Sequence, residues 1–60
     1  MVSEEELGKR IKKFRIQRRL SLQDLARKTG FTKGYLSKVE NSSKAPPVST
    51  LAMVAKALNV

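Results

Sequence analysis

The chain has 60 residues, with 13 Lys/Arg against 5 Asp/Glu for a net charge of +8, and it contains neither cysteine nor histidine. That length allows one small domain held together by packing alone, since disulfides and thiolate or imidazole metal ligands are excluded. A charge excess of this size, at a sequence pI near 10.5, costs self-repulsion and points to a polyanionic partner without choosing between DNA, RNA and anionic lipid.

The apolar runs fall far short of the roughly 20 residues that a membrane span requires. The opening "MVSEEELGKR" is acidic, unlike the basic start and apolar stretch of a secretory signal. An intracellular, soluble domain is expected, and the absence of cysteine fits a reducing compartment.

Ser3 followed by Glu6 reads as a capping box, with Glu4, Glu5 and Glu6 placed favourably at the positive end of a helix dipole. Leu7, Ile11 and Phe14 recur at helical spacing, which predicts a first helix over residues 4–18. Lys9, Arg10, Lys12 and Lys13 read as a solvated face that adds long-range attraction rather than direct contact. The apolar stripe is needed for the core, which argues against a membrane-surface peptide.

Ser21 and Asp24 repeat the cap pattern and open a second helix over 22–28, facing inward through Leu22, Leu25 and Ala26. Gly30 is the left-handed stop, and Thr32 caps a third helix over 33–40. After it comes a loop from Asn41 to Pro47, with Asn41 or Ser42 at the stop and two prolines barring continuation. The fourth helix takes 48–58, with Val48, Leu51, Val54, Ala55 and Leu58 inward. The reading is all-α, a single domain over residues 1–60.

Thr29, Gly30 and Phe31 leave so short a connection between helices two and three that the pair must meet at a steep angle, as in a helix-turn-helix unit. Leu36 and Val39 face inward on helix three. Gly34, Lys38 and Asn41 then fall opposite the core, with Lys33 and Ser37 on one flank and Tyr35 on the other. Such a face suits the major groove, where lysine donates to guanine O6 and N7 and serine donates or accepts. Gly34 has two readings: close approach to bases or phosphate, or an exposed first-turn position with no role. Ser21 is a cap, a phosphate contact or both, and Tyr35 packs or bonds phosphate. Ser43 and Lys44 in the loop are candidate phosphate contacts. No nucleophile has an evident base beside it, because Asp24 and Glu40 are assigned to a cap and a pair. No enzyme activity, cofactor or metal is expected.

"LSLQDLARKTGFT", "YLSKVEN", the prolines after the loop and "TLAMVAKALNV", taken as an ordered set, resemble the phage Cro/repressor type of helix-turn-helix domain, the XRE family of transcriptional regulators. The resemblance covers residues 7–60. It implies a compact four- to five-helix, lambda-repressor-like bundle, cytoplasmic and working at the nucleoid. The third helix enters the major groove of double-stranded DNA, usually in a two-fold dimer on a palindromic operator. Lys33, Gly34 and Lys38 match base-reading positions, with Ser37 beside them. Thr32, Tyr35 and Asn41 match positions that touch the phosphate backbone, and Arg15 and Glu40 match an ion pair tying helix one to the end of helix three. Where the family often has glutamine at the start of helix two, this chain has Leu22, with Gln23 next as the candidate phosphate contact. Where glycine often follows Glu-Asn, it has Ser42, which implies a left-handed stop at Asn41.

The same fold also serves bridging factors and antitoxin-like proteins. A protein-interaction or RNA-associated module, with the lysine-rich first helix as its contact surface, is therefore the alternative. Family domains commonly continue into a fifth helix. The expectation is a segment of a longer repressor-like regulator, with any homodimer formed through elements beyond residue 60.

Overall fold

The computed structural model describes residues 4–60 of the chain, so the Ser3 cap lies outside the described residues. Four helices follow one another: α1 (Glu4–Gln17), α2 (Leu22–Thr29), α3 (Lys33–Asn41) and α4 (Val48–Leu58), with no strand among the described residues. The all-α expectation holds, and the helix limits differ from it by a residue at three of the ends. Helix α3 packs on both α1 and α2, and α4 closes the bundle against α2 and α1.

The core is small and drawn from every helix. Leu25, Leu36, Val54 and Leu58 are fully buried, Ile11, Ala26 and Val39 nearly so, and Phe14, Leu20, Leu22, Phe31, Tyr35 and Leu51 seal the rim. Burying side chains of this kind yields about 1.5–3 kcal/mol each, which is the main favourable term in a chain without cross-links.

Local chemistry sets the corners. The α2 start is a complete capping box: Ser21 Oγ accepts from the Asp24 amide at 3.0 Å, and the Asp24 carboxylate accepts from the Ser21 amide at 2.9 Å. At the other end Gly30 takes φ 80°, and its amide donates to the Ala26 carbonyl at 2.8 Å, a left-handed stop that a side chain would strain. The Thr29 hydroxyl donates to the Leu25 carbonyl at 2.8 Å and accepts from the Phe31 amide at 3.3 Å, tying α2 to the turn.

Two expectations are corrected. Val48 is not inward but 83% exposed. The buried row of α4 is Thr50, Val54 and Leu58, at i, i+4 and i+8, and Val48 at the first helical position lies well off that line. The left-handed stop implied at Asn41 is absent: Asn41 is still helical, and of the two expected ends the helix uses Ser42, in an extended conformation (φ −77°, ψ 143°) with its amide donating to the Val39 carbonyl. Among the described residues the left-handed non-glycine ones are Arg19 (φ 56°) and Asn59 (φ 61°). Each closes its helix with paired bonds to carbonyls behind it: Leu20 to Arg15 and Arg19 to Ile16, Val60 to Ala55 and Asn59 to Lys56.

Candidate nucleic-acid interface

Helix α3 is fixed from behind and open in front. Leu36 and Val39 anchor it in the core, while Lys33, Gly34, Lys38 and Asn41 are exposed and Ser37 is half-buried. Thr32 caps its first turn by accepting from the Tyr35 amide at 3.0 Å. No acidic residue stands in that turn, so the exposed face is uniformly positive or neutral. A Cβ on Gly34 would meet nothing within 4 Å. Within the domain, then, no packing demand calls for glycine there.

The far end of α3 is locked by an ion pair. Arg15 Nε donates to Glu40 Oε2 at 2.7 Å and its Nη2 to Oε1 at 3.2 Å, while Nη1 donates to the Leu20 carbonyl at 2.8 Å. The two side chains are 10% and 3% exposed. A two-pronged, buried fork of this kind fixes direction as well as distance, so it ties the end of α3 to α1. The expected Arg15–Glu40 pair is present.

Helix-turn-helix geometry is thus complete: α2, a turn stopped by Gly30, and α3 with a free polar face. The chain matches the helix-turn-helix family over residues 11–60. It belongs to that family. Among curated proteins it is 39% identical over 54 residues to an immunity repressor protein of Bacillus phage phi105, covering 90% of this chain and 38% of that one. It is 40% identical over 55 residues to the HTH-type transcriptional regulator SinR of Bacillus subtilis (strain 168) and to that of Bacillus licheniformis, covering 90% of this chain and 50% of each. The chain therefore spans half or less of the length of these relatives. No solved structure matches it significantly.

The other predicted contact residues lie on the elements before and after α3 in the chain. Ser21 and Gln23 are exposed at the start of α2, where the capping box already pairs the Asp24 and Ser21 amides, so the Ser21 hydroxyl and the Gln23 side chain are the donors they offer a phosphate. The Ser21 hydroxyl accepts the cap bond, which leaves its hydrogen to donate elsewhere. Ser43 and Lys44 are exposed in the loop, whose shape is held by the Lys44 amide donating to Ser42 Oγ at 3.0 Å.

Two candidates carry internal bonds. Asn41 Nδ2 donates to the Ser37 carbonyl at 2.8 Å, leaving its second amide hydrogen open. The Tyr35 hydroxyl pairs with Thr50 Oγ1 at 2.8 Å, and its ring lies 5.1 Å from that of Phe31. Tyr35 thus packs, one of the two roles expected of it, with Thr50 as its hydroxyl partner.

Gly8 also went unnoticed. A Cβ there would lie 2.5 Å from the Glu40 carbonyl oxygen and 2.7 Å from that of Val39. Only glycine lets α1 come this close to the end of α3. A glycine inside a helical stripe was the signal available.

Proposed function

We propose that this domain binds double-stranded DNA sequence-specifically as part of a transcriptional regulator, with α3 in the major groove. The observation that carries the reading is the exposed face of α3, where Lys33, Gly34, Ser37 and Lys38 stand without an acidic neighbour in the first turn. The start of α2 at Ser21 and Gln23 and the Ser43–Lys44 loop, before and after α3 in the chain, add further exposed polar groups. Lys33 and Lys38 reach base edges, with Gly34 leaving room for the duplex and Ser37 on the flank. Ser21, Gln23, Thr32, Tyr35, Asn41, Ser43 and Lys44 hold phosphates on either side, fixing register while the bases give specificity. Two copies on a palindrome would set their α3 helices about one helical turn, roughly 34 Å, apart. The workplace of such a regulator is the cytoplasm, at the chromosome.

The relatives named above as repressor and regulator support this reading, as does the charge of +8. Selection from a random duplex library at two salt concentrations tests it. A single preferred motif is expected, with affinity falling steeply as salt rises. Lys38→Ala should cost about 1–3 kcal/mol at the preferred site and far less at a scrambled one. Equal weakening at both sites would refute base reading by Lys38, and the absence of any enriched motif would refute the function.

A further inference from the structure

Lys9 and Lys12 stand one turn apart on α1, both exposed. They border an open hollow of about 430 Å³ whose other walls are Glu40, Asn41, Ser42 and Ser43 at the end of α3. We propose that this hollow holds a DNA backbone phosphate, so that α1 grips the strand beyond the reach of the recognition helix. The proposal rests on the DNA-binding reading and extends it to a helix that the sequence assigns to long-range attraction alone.

Three observations carry it. First, Gly8 brings the α1 backbone within a Cβ's breadth of the Val39 and Glu40 carbonyls, which is why lysines on α1 sit beside the end of α3 at all. Second, the donors fit an anion. The Glu40 carboxylate is 3% exposed and neutralised by Arg15. The Ser37 and Val39 carbonyls already accept from the Asn41 side chain and the Ser42 amide, so the lysines are not needed to cap α3. The Ser42 hydroxyl accepts from the Lys44 amide and keeps its hydrogen, and Ser43 is exposed. Two ammonium groups with hydroxyl donors form the kind of set that binds phosphate oxygens. Third, the hollow continues into the α3 interface: Ser42 also lines the neighbouring cleft with Tyr35, Lys38 and Lys44. Lys9 and Lys12 thereby join Lys38 and Lys44 in one positive border around the end of α3.

The test compares two double variants that remove the same charge. Lys9→Gln with Lys12→Gln empties the hollow. Lys28→Gln with Lys56→Gln alters a separate hollow between α2 and α4. Binding to the duplex selected by the unmodified domain is measured against salt, with thermal unfolding as the folding control and Lys12→Gln alone as a milder variant. Each phosphate contact adds about 0.9 to the slope of log K against log[salt]. The α1 double is expected to lower the slope by about 0.9, for the one phosphate the hollow holds, and Lys12→Gln by less, with the preferred motif unchanged. The α2–α4 double should leave the slope within about 0.5 of the starting value. Equal slopes for the two doubles, or no change in the α1 double, would overturn the α1 grip and leave the DNA reading standing. Absence of a preferred motif for the unmodified domain would overturn both.

Discussion

Breaking the Arg15–Glu40 pair should remove a large share of the domain's stability. The fork between these side chains is buried on both sides, at 2.7 and 3.2 Å, and Arg15 also serves the Leu20 carbonyl at 2.8 Å. Removing one member of a buried pair leaves an uncompensated charge and costs about 3–5 kcal/mol. A domain of 60 residues has roughly 3–9 kcal/mol of stability in all, at about 0.05–0.15 kcal/mol per residue. Glu40→Leu and Arg15→Met should therefore each consume a third or more of the total, and Arg15→Met the more because it also strands a carbonyl. Replacing both by apolar residues, Arg15→Met with Glu40→Leu, removes the orphaned charge and should recover a large part of either loss. Urea unfolding followed by far-UV circular dichroism at neutral pH gives all three values in one thermodynamic cycle. Single variants that each cost less than about 1 kcal/mol at unchanged m-value would mean that the pair behaves like an exposed one. A double variant as unstable as the sum of the singles would mean no coupling, and either result refutes the argument.

Gly8→Ala should destabilise by about 1–3 kcal/mol, because its Cβ meets two backbone carbonyls that cannot turn aside. Gly34→Ala, with open space around it, should be neutral or stabilising by up to about 1 kcal/mol. Urea midpoints distinguish the pair, and lowered DNA affinity in a stable Gly34→Ala would mark a close backbone approach to the duplex. Tyr35→Phe leaves Thr50 Oγ1 buried and unpaired, at a cost of about 1–3 kcal/mol; adding Thr50→Val should restore most of it, as judged by Tm. The Asp24 carboxyl lies below the usual carboxylate range, chiefly through its bonds with the Ser21 amide and hydroxyl. Its stabilising contribution is thus complete above the ordinary value of about 3.9 and is lost as pH falls through the lower folded-state value. Asp24→Asn should show a smaller loss of Tm than the unmodified domain between about pH 5 and pH 2.

What could be read from the sequence was what local chemistry decides. Ser21, Gly30 and Thr32 act within three or four residues of themselves, so the caps and the turn follow from side-chain type and spacing. The inward row Leu25, Ala26, Leu36 and Val39 follows from helical period in the same way. Arg15 and Glu40 stand 25 residues apart, and no spacing rule connects them; only the likeness to known helix-turn-helix domains brought them together. The error at Val48 has a related cause. The buried row of α4 contains a threonine, and Thr50 is acceptable inside because the Tyr35 hydroxyl meets it. An apolar count therefore favoured the valine two positions earlier over the polar residue that belongs there.

Gly8 shows why the far side of the interface was harder to see than α3. Its local reading is a weak point in a helix, costing up to about 1 kcal/mol relative to alanine, and nothing nearby in sequence compensates. The compensation lies in the carbonyls of Val39 and Glu40, more than thirty positions away. The same contact changes what Lys9 and Lys12 are. Each is an exposed residue on a solvated helix face, as the sequence says. With a glycine between the helices, that face becomes one wall of a hollow whose opposite wall is the end of the recognition helix. A larger residue at position 8 would separate the two walls, so salt-dependent DNA binding should respond to Gly8→Ala even in the fraction that stays folded. A drop in slope there, matching that of the lysine double variant, would link the close approach to the grip. An unchanged slope would separate them.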